Sequence, residues 1–145
     1  MSKGKSKRIK TPDISQPQGK GRIIEPSSDK VLNYDDCHPL FCLRYLESDY
    51  GLEQCTRDQQ ADFAQALRKR SQMTWQQILT TPRHGLGAEK IDRKSIKAPI
   101  PNHITADVDF FIALRFSGLA PMVGYRIKDV FRIIWLDSKF ELYKH

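Results

Sequence analysis

The stretch VDFFIALRFSGLAPMVGYRIKDVFRIIWLDSKFELY, residues 108–143, decides the fold. Val108, Phe110, Ile112, Leu114 and Phe116 recur at period two and share one face, with Arg115 on the other, which is the pattern of a half-buried strand. Pro121–Ile127 follows with Tyr125 and Arg126, and Val130–Asp137 carries Arg132 among β-branched and aromatic residues, so two more strands are predicted. Ser117-Gly118 and Lys128-Asp129 read as the turns between them. Three arginines thus stand on successive strands, and Tyr143 closes the stretch. Planar, permanently charged guanidinium groups on a rigid sheet, with a phenol nearby, suit a phosphate-bearing ligand such as RNA. The same residues also fit the solvated rungs of a sheet, with the arginines paired to Asp109 or Asp137.

Upstream of this stretch, Pro39–Leu46 is a short apolar run with aromatic content, most simply a strand, and Gly51 breaks it. Thr56-Arg-Asp-Gln59 and Thr74-Trp-Gln-Gln77 are capping boxes, in which the threonine hydroxyl and the glutamine side chain satisfy backbone groups that open a helix. The first helix runs to about Ser71 with Phe63, Ala64 and Leu67 on one face. The second buries Trp75, Ile78 and Leu79 and ends before Pro82, because the residue preceding a proline is pushed out of the helical region. Arg83-His84-Gly85-Leu86-Gly87 is a loop, Ala88–Lys97 a basic strand, and Pro99 and Pro101 hold an extended connector through to Thr105. The predicted architecture is α+β: a small antiparallel sheet with two helices packed on one face, spanning residues 31–145.

The chain has 145 residues and a net charge of +7, unevenly spread. Residues 1–30 hold eight Lys/Arg against three acidic residues and are rich in Lys, Ser, Gly, Pro and Gln, with Ile23-Ile24 the one apolar cluster. That composition predicts a disordered basic tail, either a solubilising segment or a nucleic-acid arm. Within the domain, Arg68–Lys97 holds eight Lys/Arg against Glu89 and Asp92, a basic segment in an otherwise nearly neutral chain. No apolar run reaches the roughly 18–20 residues of a membrane span, and the basic N-terminus lacks the apolar core of a secretory signal, so a cytoplasmic location and no membrane partner are expected. Cys37, Cys42 and Cys55 are an odd count at spacings that match no common zinc module, and reduced thiols without metal are expected. Phosphate-binding loops, dinucleotide fingerprints, His-Glu-x-x-His and paired carboxylates are missing from the sequence, so no cofactor is implied.

Metal-free RNA cleavage needs a base for the 2′-hydroxyl, cations for the crowded phosphoryl transition state and an acid for the leaving 5′-oxygen. Arg115, Arg126 and Arg132 are the candidate cations. His84, in a glycine-bracketed loop beside Arg83, is the candidate acid or base; the plainer account is a loop histidine capping the preceding helix. Tyr143 either protonates the leaving group or covers the sheet edge, and His145 lies close to it in sequence. Arg83, Lys90, Arg93, Lys94 and Lys97 are candidate RNA contacts. Trp75, Trp135 and Phe110-Phe111 occupy core spacings rather than stacking platforms, while Phe41 and Tyr45, alternating with Arg44, fit either role.

The element order and two motifs resemble the RelE/ParE superfamily of toxin–antitoxin ribonucleases. Leu114-Arg115-Phe116-Ser117-Gly118 resembles the Leu-Arg-x-x-Gly before the final hairpin of many members, and Gly124-Tyr125-Arg126-Ile127 with Val130–Trp135 resembles their Tyr-Arg strand and apolar last strand. Tyr143 stands where many place a tyrosine, and Lys90 fits their habit of lysines on the strand after the helices. The chain is also similar to a group of uncharacterised bacterial proteins that share Pro82–Gly87 and Ile134-Trp135-Leu136-Asp137. The resemblance covers roughly residues 40–145 and departs at Asp137-Ser138-Lys139, where members often carry His or Lys; that carboxylate is either a base or a sign of no catalysis. It implies a RelE-like fold and a metal-independent endoribonuclease toxin that cleaves mRNA alone or on the ribosome and is held by an antitoxin. The alternative is a non-catalytic module that binds nucleic acid or protein through its basic sheet face and tail.

Overall fold

The computed structural model describes residues 32–145, so the predicted tail over residues 1–30 lies outside the described residues. Both capping boxes form. Thr56 accepts from the Gln59 N–H and receives the Gln59 side chain on its own N–H, opening α1 (Arg57–Ser71); Thr74 and Gln77 do the same for α2 (Trp75–Thr80). The inward face of α1 is Phe63, Ala66, Leu67 and Arg70, a spacing of three, four and seven residues that leaves Ala64 exposed. In α2, Trp75 and Ile78 are buried, but Leu79 is 46% exposed, contrary to its expected place in the core. A six-residue helix makes fewer than two turns, and one turn's face cannot hold all three side chains.

Five strands form one sheet in the order β1-β5-β4-β3-β2: β1 (Leu40–Cys42), β2 (Ala88–Asp92), β3 (Phe110–Ser117), β4 (Ala120–Ile127) and β5 (Val130–Leu136). β2 through β5 pair antiparallel, but β1 runs parallel to β5, so the sheet is mixed and the expectation of a purely antiparallel one is corrected. β1 is shorter than the run from Pro39 to Leu46 suggested, because the chain leaves the sheet after Cys42 and returns to it only where the Glu47 N–H donates to the Ile134 carbonyl at 2.8 Å. β2 likewise stops at Asp92, where a 3-10 turn over Arg93–Ser95 takes over.

The largest difference from the sequence reading is on the face opposite the helices. Ile112, Leu114, Phe116, Met122, Phe131 and Ile133 meet α1 and α2, as alternation requires. The other face is not solvated: Phe111, Ala113, Val123, Ile134 and Trp135 are buried under Ile96, Ala98, Ile100 and Ile104 from the proline-rich connector and under Tyr45, Leu142 and Tyr143. The Lys97 N–H donates to the Leu142 carbonyl at 2.7 Å, tying connector to C-terminal segment. The connector therefore builds a second core on the face that a half-buried strand pattern had left to solvent. Continuous apolar runs such as Phe110–Leu114, rather than strict alternation, carry this two-sided burial.

A bulge shapes the middle of the sheet. Val123 pairs with Trp135 and Gly124 with Ile133, so β5 holds one extra residue, Ile134. A Cβ on Gly124 would lie 1.9 Å from the Arg132 carbonyl oxygen, which explains glycine there. Beyond this bulge the β3–β4 ladder ends at Ile112–Gly124, although β3 begins two residues earlier, at Phe110, and β4 continues to Ile127. Phe110 and Phe111 stay with β2, while Tyr125–Ile127 stay with β5. The two hairpins part, and a cleft opens between them.

Candidate functional site

The cleft has a volume of about 570 Å³, the size of a small-molecule or nucleotide site. Phe110 and Ile112 of β3, Tyr125 and Ile127 of β4 and Leu79 of α2 give it apolar walls. Arg126 and Arg132 enter it from the strands, and the segment from His103 to Asp109 enters it from the connector. That segment is held in place by Arg93, whose guanidinium donates to the carbonyls of Thr105 (2.7 Å), Val108 (2.9 Å) and Ile104 (3.3 Å). Arg93, expected to contact RNA, is thereby occupied in building the wall of the cleft.

Arg132 is the central cation. Tyr125 stands across from it in the β4–β5 ladder, and its hydroxyl accepts from Arg132 Nη1 at 3.1 Å. The guanidinium carbon lies 5.3 Å from the Tyr45 ring and 5.8 Å from the Tyr125 ring, within reach of both π faces. The Tyr125 hydrogen bond raises its pKa above the usual arginine value. Among the described residues no carboxylate comes within ion-pair distance of it. His103 stacks on Tyr45, their ring centroids 4.4 Å apart at an interplanar angle of 26°. The connector also brings Asp107 and Asp109, so the cleft is polarised: cations from the strands, carboxylates from the loop. The Thr105 hydroxyl donates to the Asp107 carboxylate and holds its pKa down. Lys90 lies 4.3 Å over the ring of Phe110 at the same end.

The other anticipated residues do not gather at this cleft. Arg126 lines it but spends its fork elsewhere: Nη1 donates to Asp35 at 2.6 Å, Nε to the Lys128 carbonyl at 2.6 Å, and the group lies 4.5 Å over the Trp75 ring on the helix side. Arg115 is bound to Glu89 at 3.0 Å and to the Leu119 carbonyl at 2.8 Å, and Glu89 also receives Arg83 at 3.0 Å. His84 is exposed on the Arg83–Gly87 loop, with no hydrogen-bond partner among the described residues, and does not cap α2; the Thr81 hydroxyl reaches back to the Gln77 carbonyl there. Lys94 and Lys97 are exposed beyond β2.

Tyr143, Asp137 and His145 form a separate group. Asp137 is 1% exposed and accepts from the Glu141 and Leu142 N–H groups at 2.8 and 3.2 Å and meets His145 Nε2 at 2.9 Å. That carboxylate organises the C-terminal turn. Tyr143 is buried and stacks on His145 with ring centroids 4.1 Å apart. Burial pushes its phenol pKa up; Arg115 opposes this shift electrostatically but makes no hydrogen bond of sound geometry to the hydroxyl.

His103 and Asp107 were missed as cleft residues because they lie between the prolines and the first strong strand, where no period places them, and Asp109 was weighed only as an ion-pair partner for a sheet arginine. The pairing of Tyr125 with Arg132 depends on strand register, which one strand's pattern does not contain. The chain matches no protein-family model, no curated protein and no solved structure.

Proposed function

We propose that this protein binds single-stranded RNA, seating one nucleotide in the cleft between the two hairpins. The observation that carries the reading is Arg132, a guanidinium with no carboxylate partner among the described residues, within reach of two tyrosine rings at the wall of a nucleotide-sized cavity. Its remaining N–H groups suit a phosphate, the apolar wall of Phe110 and Ile127 suits a base, and Asp107 and Asp109 suit the exocyclic amines of adenine, guanine or cytosine. Fluorescence anisotropy with short labelled RNAs tests it. Arg132→Ala should weaken binding at least about tenfold and Arg132→Lys should restore only part, because a point charge lacks the bidentate fork. Oligo(U) should bind more weakly than oligo(A) or oligo(C). Equal affinity of Arg132→Ala and wild type, with both folded, sinks the proposal.

A second reading is a RelE/ParE-like, metal-independent endoribonuclease, acting on mRNA alone or on the ribosome and restrained by an antitoxin. It draws support from the order of strand, two helices and strands, and from His103, a histidine within the same cleft as Arg132. Growth arrest on induced expression, with new RNA ends that vanish in His103→Ala, is its expected signature. Soluble protein that binds RNA but leaves RNA intact returns the function to binding alone.

A further inference from the structure

Arg70 stands on the buried face of α1, is 0% exposed, and has no carboxylate within ion-pair distance among the described residues. Its Nε donates to the Leu86 carbonyl at 3.2 Å and its Nη1 to the Ala66 carbonyl at 3.4 Å. Nη2 has no acceptor among the described residues. Burial lowers its pKa to about 10, so at neutral pH the group remains a cation. An enclosed, unpaired charge is costly, and a leucine or methionine would fill the same space without that cost. Two neutral carbonyls offset part of the charge and leave one nitrogen without an acceptor.

A second pocket borders this side chain. It measures about 270 Å³ and lies between α1, the Arg83–Gly87 loop and the β3–β4 turn, with Arg70, Lys69, Gln65, Ser117 and Gly118 among its lining. Asp62 is the one acidic residue in that lining, and its carboxylate already accepts from the Ser117 hydroxyl at 2.7 Å. Arg115 also borders the pocket, but Leu119 and Glu89 engage its fork. The balance is a buried guanidinium and an exposed ammonium against one occupied carboxylate. The volume exceeds what a halide needs and suits a tetrahedral oxyanion with a small substituent.

We propose that this pocket is a phosphate site, with Lys69 as the cation that meets the anion and the Arg70 guanidinium, closed off from solvent, as the buried charge directly beneath it. The ligand is a phosphate group, free or carried by a nucleotide. The site borders the end of β3 away from the cleft, so it goes beyond the RNA-binding reading and does not depend on it.

Inorganic phosphate is the probe, added to the full-length protein at millimolar concentration against sodium chloride of matched ionic strength. Thermal unfolding and titration calorimetry read the response. Wild type should gain stability saturably with phosphate, by mass action on the folded state. Arg70→Met should unfold at a higher temperature than wild type without phosphate and, combined with Arg132→Ala, should show no phosphate response. Lys69→Ala, at an exposed position, should keep the wild-type melting temperature and bind phosphate about fivefold more weakly. Arg132→Ala, which removes the phosphate contact of the cleft, should still keep a saturable response, and that separates this site from the cleft. Competition by a mononucleotide assigns the group to a monoester, and competition by an RNA without terminal phosphates assigns it to the backbone. The proposal is overturned if phosphate acts no differently from chloride on wild type, or if Arg70→Met combined with Arg132→Ala retains the response. Should Arg70→Met fail to fold, unchanged phosphate affinity in Lys69→Ala overturns it equally.

Discussion

Tyr143 shows how one side chain can carry a role unlike the one its position suggests. As a closing tyrosine it looked like an acid for a leaving group or a cover for the sheet edge, yet its hydroxyl is buried with no hydrogen-bond partner among the described residues and its ring stacks on His145. An unsatisfied buried hydroxyl costs stability, so Tyr143→Phe should be more stable than wild type by up to about 1 kcal/mol in urea unfolding at pH 7. Burial also raises the phenol's pKa above its ordinary value of 10.0 in the folded state. The stability tied to the neutral phenol is present below the ordinary pKa and is lost as pH rises through the higher, folded value. Above pH 10, therefore, wild type should lose stability more steeply than Tyr143→Phe. Parallel alkaline profiles for the two proteins would mean the phenol is not the group responsible. Arg126 is a similar case: a strand arginine in a row of three is bound to Asp35 and stacked on Trp75, while Arg132, its near neighbour, has no ion pair among the described residues.

The bulge between β4 and β5 is the element that makes the cleft. The extra residue, Ile134, lies on β5, and the β3–β4 ladder stops level with it at Ile112–Gly124, leaving Phe110 and Phe111 without partners on β4. Gly124 permits the close approach that the bulge needs, since a Cβ there would meet the Arg132 carbonyl at 1.9 Å. Gly124→Ala should lower stability by about 2–4 kcal/mol, read as a fall in urea midpoint at unchanged slope. RNA affinity should fall with it even where the protein remains folded, because the backbone that must move is that of Arg132. Full affinity in a folded Gly124→Ala protein would show that the cleft tolerates loss of the bulge. The capping boxes at Thr56 and Thr74 are, by contrast, local devices and form as their spacing dictates.

Across the whole molecule, charge and burial are arranged by different parts of the chain. Residues 1–30 carry a net charge of +5 out of +7, so their removal should flatten the salt dependence of the proposed RNA binding while Asn33–His145 still folds. A plot of log affinity against log salt for the full chain and a chain starting at residue 31 checks this; equal slopes would mean that the tail takes no part. The sequence by itself determined the helices, the last three strands, their turns and most of the helix-side core, because those depend on spacing within a few residues. It also marked Arg126, Arg132 and Lys90 as cations worth weighing. Only tertiary structure decided that β1 runs parallel beside β5, that the proline-rich connector covers the second face, and that Arg132, Tyr125, Tyr45 and His103 come together. Those outcomes rest on pairings between residues far apart in the chain, and a periodicity of two or 3.6 records which way a side chain points but not what it meets.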